Sequence, residues 1–90
     1  RNTKSIVIIS DLGLKHAADI KSFLEQHFNH HYFDIESSLH GFSKELLDKI
    51  KLYDCIISTT HLDLKGDIPM VEISDFITEH DVGRIFMALR

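Results

Sequence analysis

The run Ile6-Val7-Ile8-Ile9, followed by Ser10-Asp11-Leu12-Gly13 and then an apolar three-and-four spacing, constrains this chain most. Four consecutive β-branched residues suit a strand buried on both faces, which calls for a parallel sheet covered on both sides. The stretch Lys4–Ala18 therefore reads as a buried strand (Ser5–Ile9), a polar turn (Ser10–Lys15) and the start of a helix. In open α/β sheets, ligands and chemistry gather at the carboxyl ends of the strands. That makes Ser10, Asp11, Gly13, Lys15 and His16 the first residues to question.

The rest of the chain repeats the alternation of strand and helix. A helix is expected over Lys15–His27, with Ala17, Ile20, Phe23, Leu24 and His27 on its packed side and Asn29 as a left-handed stop. His31–Glu36 alternates as a second strand, and Ser37–Gly41 is a loop. Ser43 is placed to cap a short helix over Lys44–Lys51, with Leu46, Leu47 and Ile50 on its apolar side. Tyr53–Thr59 reads as strand three and Ile68–Ile73 as strand four, with Pro69 consigning the latter to an edge or to its mouth. Thr78-Glu79-His80-Asp81 matches a capping box and opens a last helix, with Val82, Ile85, Phe86 and Leu89 toward the core. The expected architecture is α/β: a three-layer sandwich with a four-stranded, mostly parallel sheet. The element order is β-α-β-α-β-β-α and the strand order 2-1-3-4. An antiparallel fourth strand is the alternative, because residues 60–66 are barely long enough to recross the sheet.

Ninety residues make one domain, and the net charge of −4 lacks the basic face that nucleic-acid binding needs. One cysteine, Cys55, permits no intrachain disulfide, which fits a reducing compartment. No apolar run approaches the roughly 20 residues of a membrane span, and no signal peptide is evident. A cytoplasmic location is expected, with no membrane contact. The chain opens at Arg1 without Met, so a fragment of a longer protein is expected.

Three stretches together carry a family resemblance: Ile6–Ala18, YDCIISTT at Tyr53–Thr60, and IPMVEISDFITEHDVGRI at Ile68–Ile85. The chain resembles the enzyme IIB domain of the sugar phosphotransferase system. More narrowly, it resembles the IIB-like domain of bacterial transcription regulators that contain phosphotransferase regulation domains, of the Mga and anthrax-toxin-activator types. The resemblance implies a Rossmann-like fold and a C-terminal position in a longer regulator. In the family, strand one ends in a cysteine and a Gly-rich turn, approximately C-x-x-G-x-G-[ST]-S, whose thiolate takes a phosphoryl group from a partner's phosphohistidine. Here the cysteine position falls on Ser10 and the first glycine is Gly13. Lys15 replaces the second glycine, His16 the Ser/Thr, and Ala17 the following serine. A serine hydroxyl needs an adjacent base to act as a nucleophile, and His16 is the nearby one. Lys15 also removes backbone freedom that would let N–H groups converge on a phosphate.

The remaining readings follow from residue type and place. Ser10 either accepts a phosphoryl group or caps the first helix. Gly13, Lys15 and His16 form either an anion-binding loop, with Ser58 and Thr59 across a parallel sheet edge, or an ordinary solvated turn. Thr60, His61, Ser74 and Asp75 would share that edge. His27, His30 and His31 lack metal-site spacing and read as a solvated cluster. Cys55 reads as a small buried hydrophobe. Phe76, Ile77, Phe86 and Met87 are candidates for an exposed interaction patch. The expected function is a non-catalytic regulatory domain acting through dimerisation or contacts with its own regulatory domains, without cofactor or metal. Phosphotransferase-system proteins are further candidate partners. The alternatives are a phosphocarrier using Ser10 or His16, or a small-anion sensor.

Overall fold

The computed structural model describes residues 3–90. Its elements are β1 (Ser5–Ser10), α1 (Leu14–His27), β2 (Tyr32–Ser37), α2 (Lys44–Ile50), β3 (Cys55–Ser58), β4 (Met70–Glu72) and α3 (Glu79–Ala88). The four strands form one sheet in the order β2-β1-β3-β4, and every pairing is parallel. This is the expected Rossmann-like three-layer arrangement, and the antiparallel alternative for the fourth strand is ruled out.

The strand period of two sorts the β-branched run onto both faces. Ile6 and Ile8, with Phe33, Cys55, Ile57 and Val71, pack beneath Ala17, Ile20 and Leu24 of α1 and Ile85 of α3. Val7, Ile9 and Ile56 face the other way, onto Ile50 of α2 and Leu62 of the β3–β4 connection. That connection contains no helix. It recrosses the sheet in open form and still closes the second face, because Leu62 is buried and Leu64 and Ile68 pack beside it. Fully burying one such aliphatic side chain contributes about 1.5–3 kcal/mol relative to leaving it exposed.

Strand four is shorter than the alternation suggested. Its pairing with β3 covers only Met70, Val71 and Glu72. Pro69 sits at its mouth on an edge strand, and its carbonyl accepts the Ile56 N–H at 2.9 Å. Strand three likewise narrows to Cys55–Ser58, whereas β1 extends by one residue to include Ser10.

Helix ends agree with the sequence at two places and depart from it at two. Ser43 accepts the Leu46 N–H through its side chain, and Thr78 and Asp81 form the complete capping box of α3. The first helix, however, starts from Gly13, with φ of 108°, and no side chain caps it. Ser10 is too far back, inside the strand, so its capping reading is corrected. A left-handed φ at the entry is open to glycine and strained for other residues, which explains why Gly13 stands there. Asn29 is not left-handed either: α1 ends at Phe28 with φ of −132°, and no residue other than glycine has positive φ among those described.

Two expectations about packed faces also fail. Phe86 is 57% exposed rather than core-facing, because Asp81, Ile85 and Leu89 already fill the buried side of α3. His27 is exposed, its ring resting on Phe23 at 4.7 Å between centroids. No helix among the described residues is long and apolar enough to cross a membrane.

Candidate functional site at the carboxyl edge of the sheet

Because all four strands run parallel, their carboxyl ends lie along one edge. Ser10 ends β1, Ser37 ends β2 with Ser38 following it, Ser58 ends β3, and Ile73–Asp75 follow β4. The edge therefore gathers hydroxyls from all over the chain. Their hydrogen bonds decide whether they face a ligand or one another.

Ser10 is fully buried. Its Oγ lies 2.6 Å from His16 Nδ1 and accepts the Leu12 N–H at 2.9 Å. On the other side of the ring, His16 Nε2 lies 2.7 Å from the Asp75 carbonyl oxygen. A carbonyl only accepts, so Nε2 carries the proton and donates. In the neutral ring Nδ1 is then an acceptor, and the Ser10 hydroxyl donates to it. One neutral tautomer thus satisfies the whole chain from Ser10 to Asp75. Helix α1 positions this link: His16 lies in its first turn, one residue before buried Ala17, so its ring lies over the strand end.

The neighbouring strand ends are tied in the same way. Thr59 Oγ1 donates to Asp11 Oδ1 at 2.7 Å while accepting the Asp11 N–H at 3.0 Å. Ser58 Oγ donates to the Thr60 carbonyl at 2.7 Å and accepts the Thr60 N–H at 3.1 Å. Ser74 N–H and Thr78 N–H donate to Asp81 Oδ2 at 3.3 and 3.1 Å, and Arg84 Nη1 donates to the Glu72 carbonyl at 2.7 Å. His61 Nδ1 lies 3.5 Å from Glu72 Oε1. The buried side-chain oxygen without a partner among the described residues is Ser38 Oγ.

Lys15 does not join this network. Its side chain is 91% exposed and its Nζ lies 3.7 Å from Asp19 along the same helix. An exposed pair of that kind contributes little. The rim instead carries Leu12, Leu14 and Leu39, each more than half exposed. Sequence reading passed over these leucines, although Leu12 and Leu14 flank the Gly13 entry and so cannot reach the core on either side of it.

The other candidates sit elsewhere. Cys55 is buried in β3, and burial pushes its thiol up to about 11, far from a thiolate at neutral pH. His31 Nδ1 accepts the Lys4 N–H at 3.0 Å, and His30 stacks on it at 4.1 Å. Burial, then the neighbouring His30 and Lys4, lowers the His31 pKa. His27 Nδ1 lies 3.1 Å from the Phe23 carbonyl. Among the described residues no three His, Cys, Asp or Glu side chains converge as a metal site would require. Of the apolar patch candidates, Phe76 is 88% and Met87 60% exposed, whereas Ile77 packs against the core.

No known protein family profile matches the chain. It is 32% identical, over 84 residues, to a Bacillus anthracis protein described as the anthrax toxin expression trans-acting positive regulator. The match takes in 93% of this chain but only 17% of that relative, so the chain is similar to one segment of a much longer transcription regulator.

Proposed function

We propose that this chain is a non-catalytic, enzyme IIB-like domain of a transcription regulator, acting through contacts with a second copy or with regulatory domains of a longer chain. The observation that carries this reading is the fate of Ser10. It occupies the family's nucleophile position, yet it is fully buried and its hydroxyl is held by His16. A phosphoryl donor must reach the acceptor oxygen in line with its leaving group, and a buried oxygen offers no such approach. The similarity to a regulator supports the regulatory half of the proposal.

One observation favours a second reading. A hydroxyl 2.6 Å from an imidazole whose other nitrogen is held by a third group has the arrangement of an activated nucleophile. In that reading the Ser10 proton passes to His16 Nδ1 as an O–P bond forms and a partner's phosphohistidine N–P bond breaks. Intact-mass spectrometry after incubation with phosphoenolpyruvate, the general phosphotransferase proteins and a set of IIA partners separates the two. The non-catalytic reading expects no adduct on the natural chain. An adduct lost in Ser10→Ala or His16→Ala would overturn it. Ser10→Cys run alongside reports whether the docking surface survives without its nucleophile.

A further inference from the structure

The free side of β2 is a surface that the strand ends do not use. Tyr32 N–H donates to the Lys4 carbonyl and Ser38 N–H to the Ser10 carbonyl, both at 2.9 Å, so the even-numbered residues of β2 bond to β1. The strand period of two turns the N–H and C=O groups of Phe33, Ile35 and Ser37 the other way. β2 is the last strand of the sheet on that side, and no strand among the described residues meets those groups. Phe33 is buried, whereas Ile35 and Ser37 are partly exposed, so the open length is the carboxyl half of the strand. An unpaired strand edge of this kind is a template for one more strand.

Beside that half of β2 lies a cleft of about 660 Å³, whose lining includes Glu36, Ser37, Phe42, Glu45, Leu46 and Lys49. Its volume is that of sites that hold a small ligand or a long side chain. Lys49 Nζ bonds to Glu36 Oε2, and no ion pair involves Glu45 among the described residues. The Lys49 pKa is raised, first by the bond to Glu36 and then by the charges of Glu36, Asp34 and Glu45, with desolvation opposing them. Three carboxylates thus act on one ammonium, and the cleft carries a surplus of negative charge.

Edge and cleft select the same occupant. In a parallel pairing like those already in the sheet, one incoming residue donates its N–H to the Ile35 carbonyl and accepts the Ser37 N–H. That residue stands opposite Glu36, and paired residues point their side chains to the same face. The residue held by the two backbone bonds is therefore the one whose side chain enters the cleft. There it meets carboxylates and the Phe42 ring, the groups that suit a planar cation: a guanidinium pairs with carboxylates and stacks on aromatic rings. The β2 of a second copy does not fit, because two-fold pairing about Ile35 would set Asp34 against Glu36 twice, and like charges directly opposite destabilise a sheet. We propose that the carboxyl half of β2 and this cleft dock an extended basic segment of a partner polypeptide, which adds to the sheet as a fifth strand and lays one arginine against Phe42, Glu36 and Glu45. This gives the proposed role in protein contacts a surface and a partner chemistry, and rests on that reading.

NMR titration of the 90-residue chain with the acetylated, amidated peptide Thr-Val-Arg-Val-Thr tests this. The expected result is saturable shifts at Ile35, Ser37 and Phe42, slowed exchange of the Ser37 N–H, and weaker binding as salt is raised. Methylating the arginine's backbone nitrogen removes the bond to Ile35 and is expected to weaken binding about tenfold, as is replacing the arginine by glutamate. Glu45→Arg in the chain is expected to do the same; Glu45 is exposed, so the variant keeps its fold, which its melting temperature checks. A chain that shows no shifts at millimolar peptide overturns the inference. So does equal binding of the glutamate peptide, equal binding of the methylated peptide, or a Glu45→Arg chain that binds as before. None of these outcomes alters the phosphoryl-adduct result, so failure here is distinguishable from failure of the non-catalytic reading.

Discussion

The carboxyl edge of the sheet and the outer side of α3 are both surfaces where function is to be sought, and they are built in opposite ways. At the edge, polar groups from the ends of β1 and β3 and from α3 turn inward: Ser10, Ser58, Thr59 and Asp81 spend their hydrogen bonds on the chain itself. On α3, Phe86 and Met87 turn outward, each more than half exposed. The difference teaches that strand ends where ligands commonly bind can instead serve as internal bracing, while a helix face stays open to solvent.

The contrast predicts large stability effects at the edge and small ones on the helix face. Asp81 is the strongest case. It is buried and accepts from Ser74, Thr78 and Arg84, so Asp81→Ala strips two backbone N–H groups of their acceptor. Urea unfolding is expected to show a loss of about 2–3 kcal/mol. Ser10→Ala leaves His16 Nδ1 and the Leu12 N–H without their partner and is expected to cost about 1–3 kcal/mol. At the other extreme, Phe86→Ser should move monomer stability by no more than about 0.5 kcal/mol, as surface changes usually do. A cost at Phe86 as large as that at Ser10 would erase the distinction between the two regions.

Two further measurements sharpen it. Cys55 should resist a thiol reagent in the folded protein and react fully in denaturant, because burial holds its thiol up at about 11. Rapid labelling of the native chain would mean the core opens more readily than its packing implies. At the amino end of the sheet, neutral His31 accepts the Lys4 N–H, and its pKa is lowered below the ordinary 6.5. The unfolded chain therefore takes up the proton first as the medium is acidified. This contribution to stability is complete above pH 6.5 and is lost as pH falls through the lowered folded value. His31→Gln should show a smaller loss of stability than the natural chain between pH 7.5 and pH 5.

Much of the fold was legible because β-branched runs announce buried strands directly. The strand order and the parallel edge followed from where the helices fell between them. Strand four was harder to delimit: Pro69 marked its mouth, but only pairing with β3 could show that Ile73 falls outside it. Phe86 was misplaced because both it and Ile85 fit a loose helical spacing, and a stripe only three or four residues wide cannot show which side the core occupies. The site was partly legible. Ser10 and His16 were singled out by position, but their link depends on a backbone carbonyl 59 residues away, at Asp75, and no local pattern encodes that. Leu12, Leu14 and Leu39 carry only a faint signal in the sequence, as apolar residues within one or two positions of Gly13 and Gly41.

The most direct test of the closed edge is the state of the His16 ring in solution, read by nitrogen NMR of the labelled domain near neutral pH. The structure predicts that the neutral ring carries its proton on Nε2, and that the Ser10 hydroxyl proton is shielded from exchange with water. A ring carrying its proton on Nδ1, or a Ser10 hydroxyl exchanging freely, would contradict it and return Ser10 to the list of accessible nucleophiles.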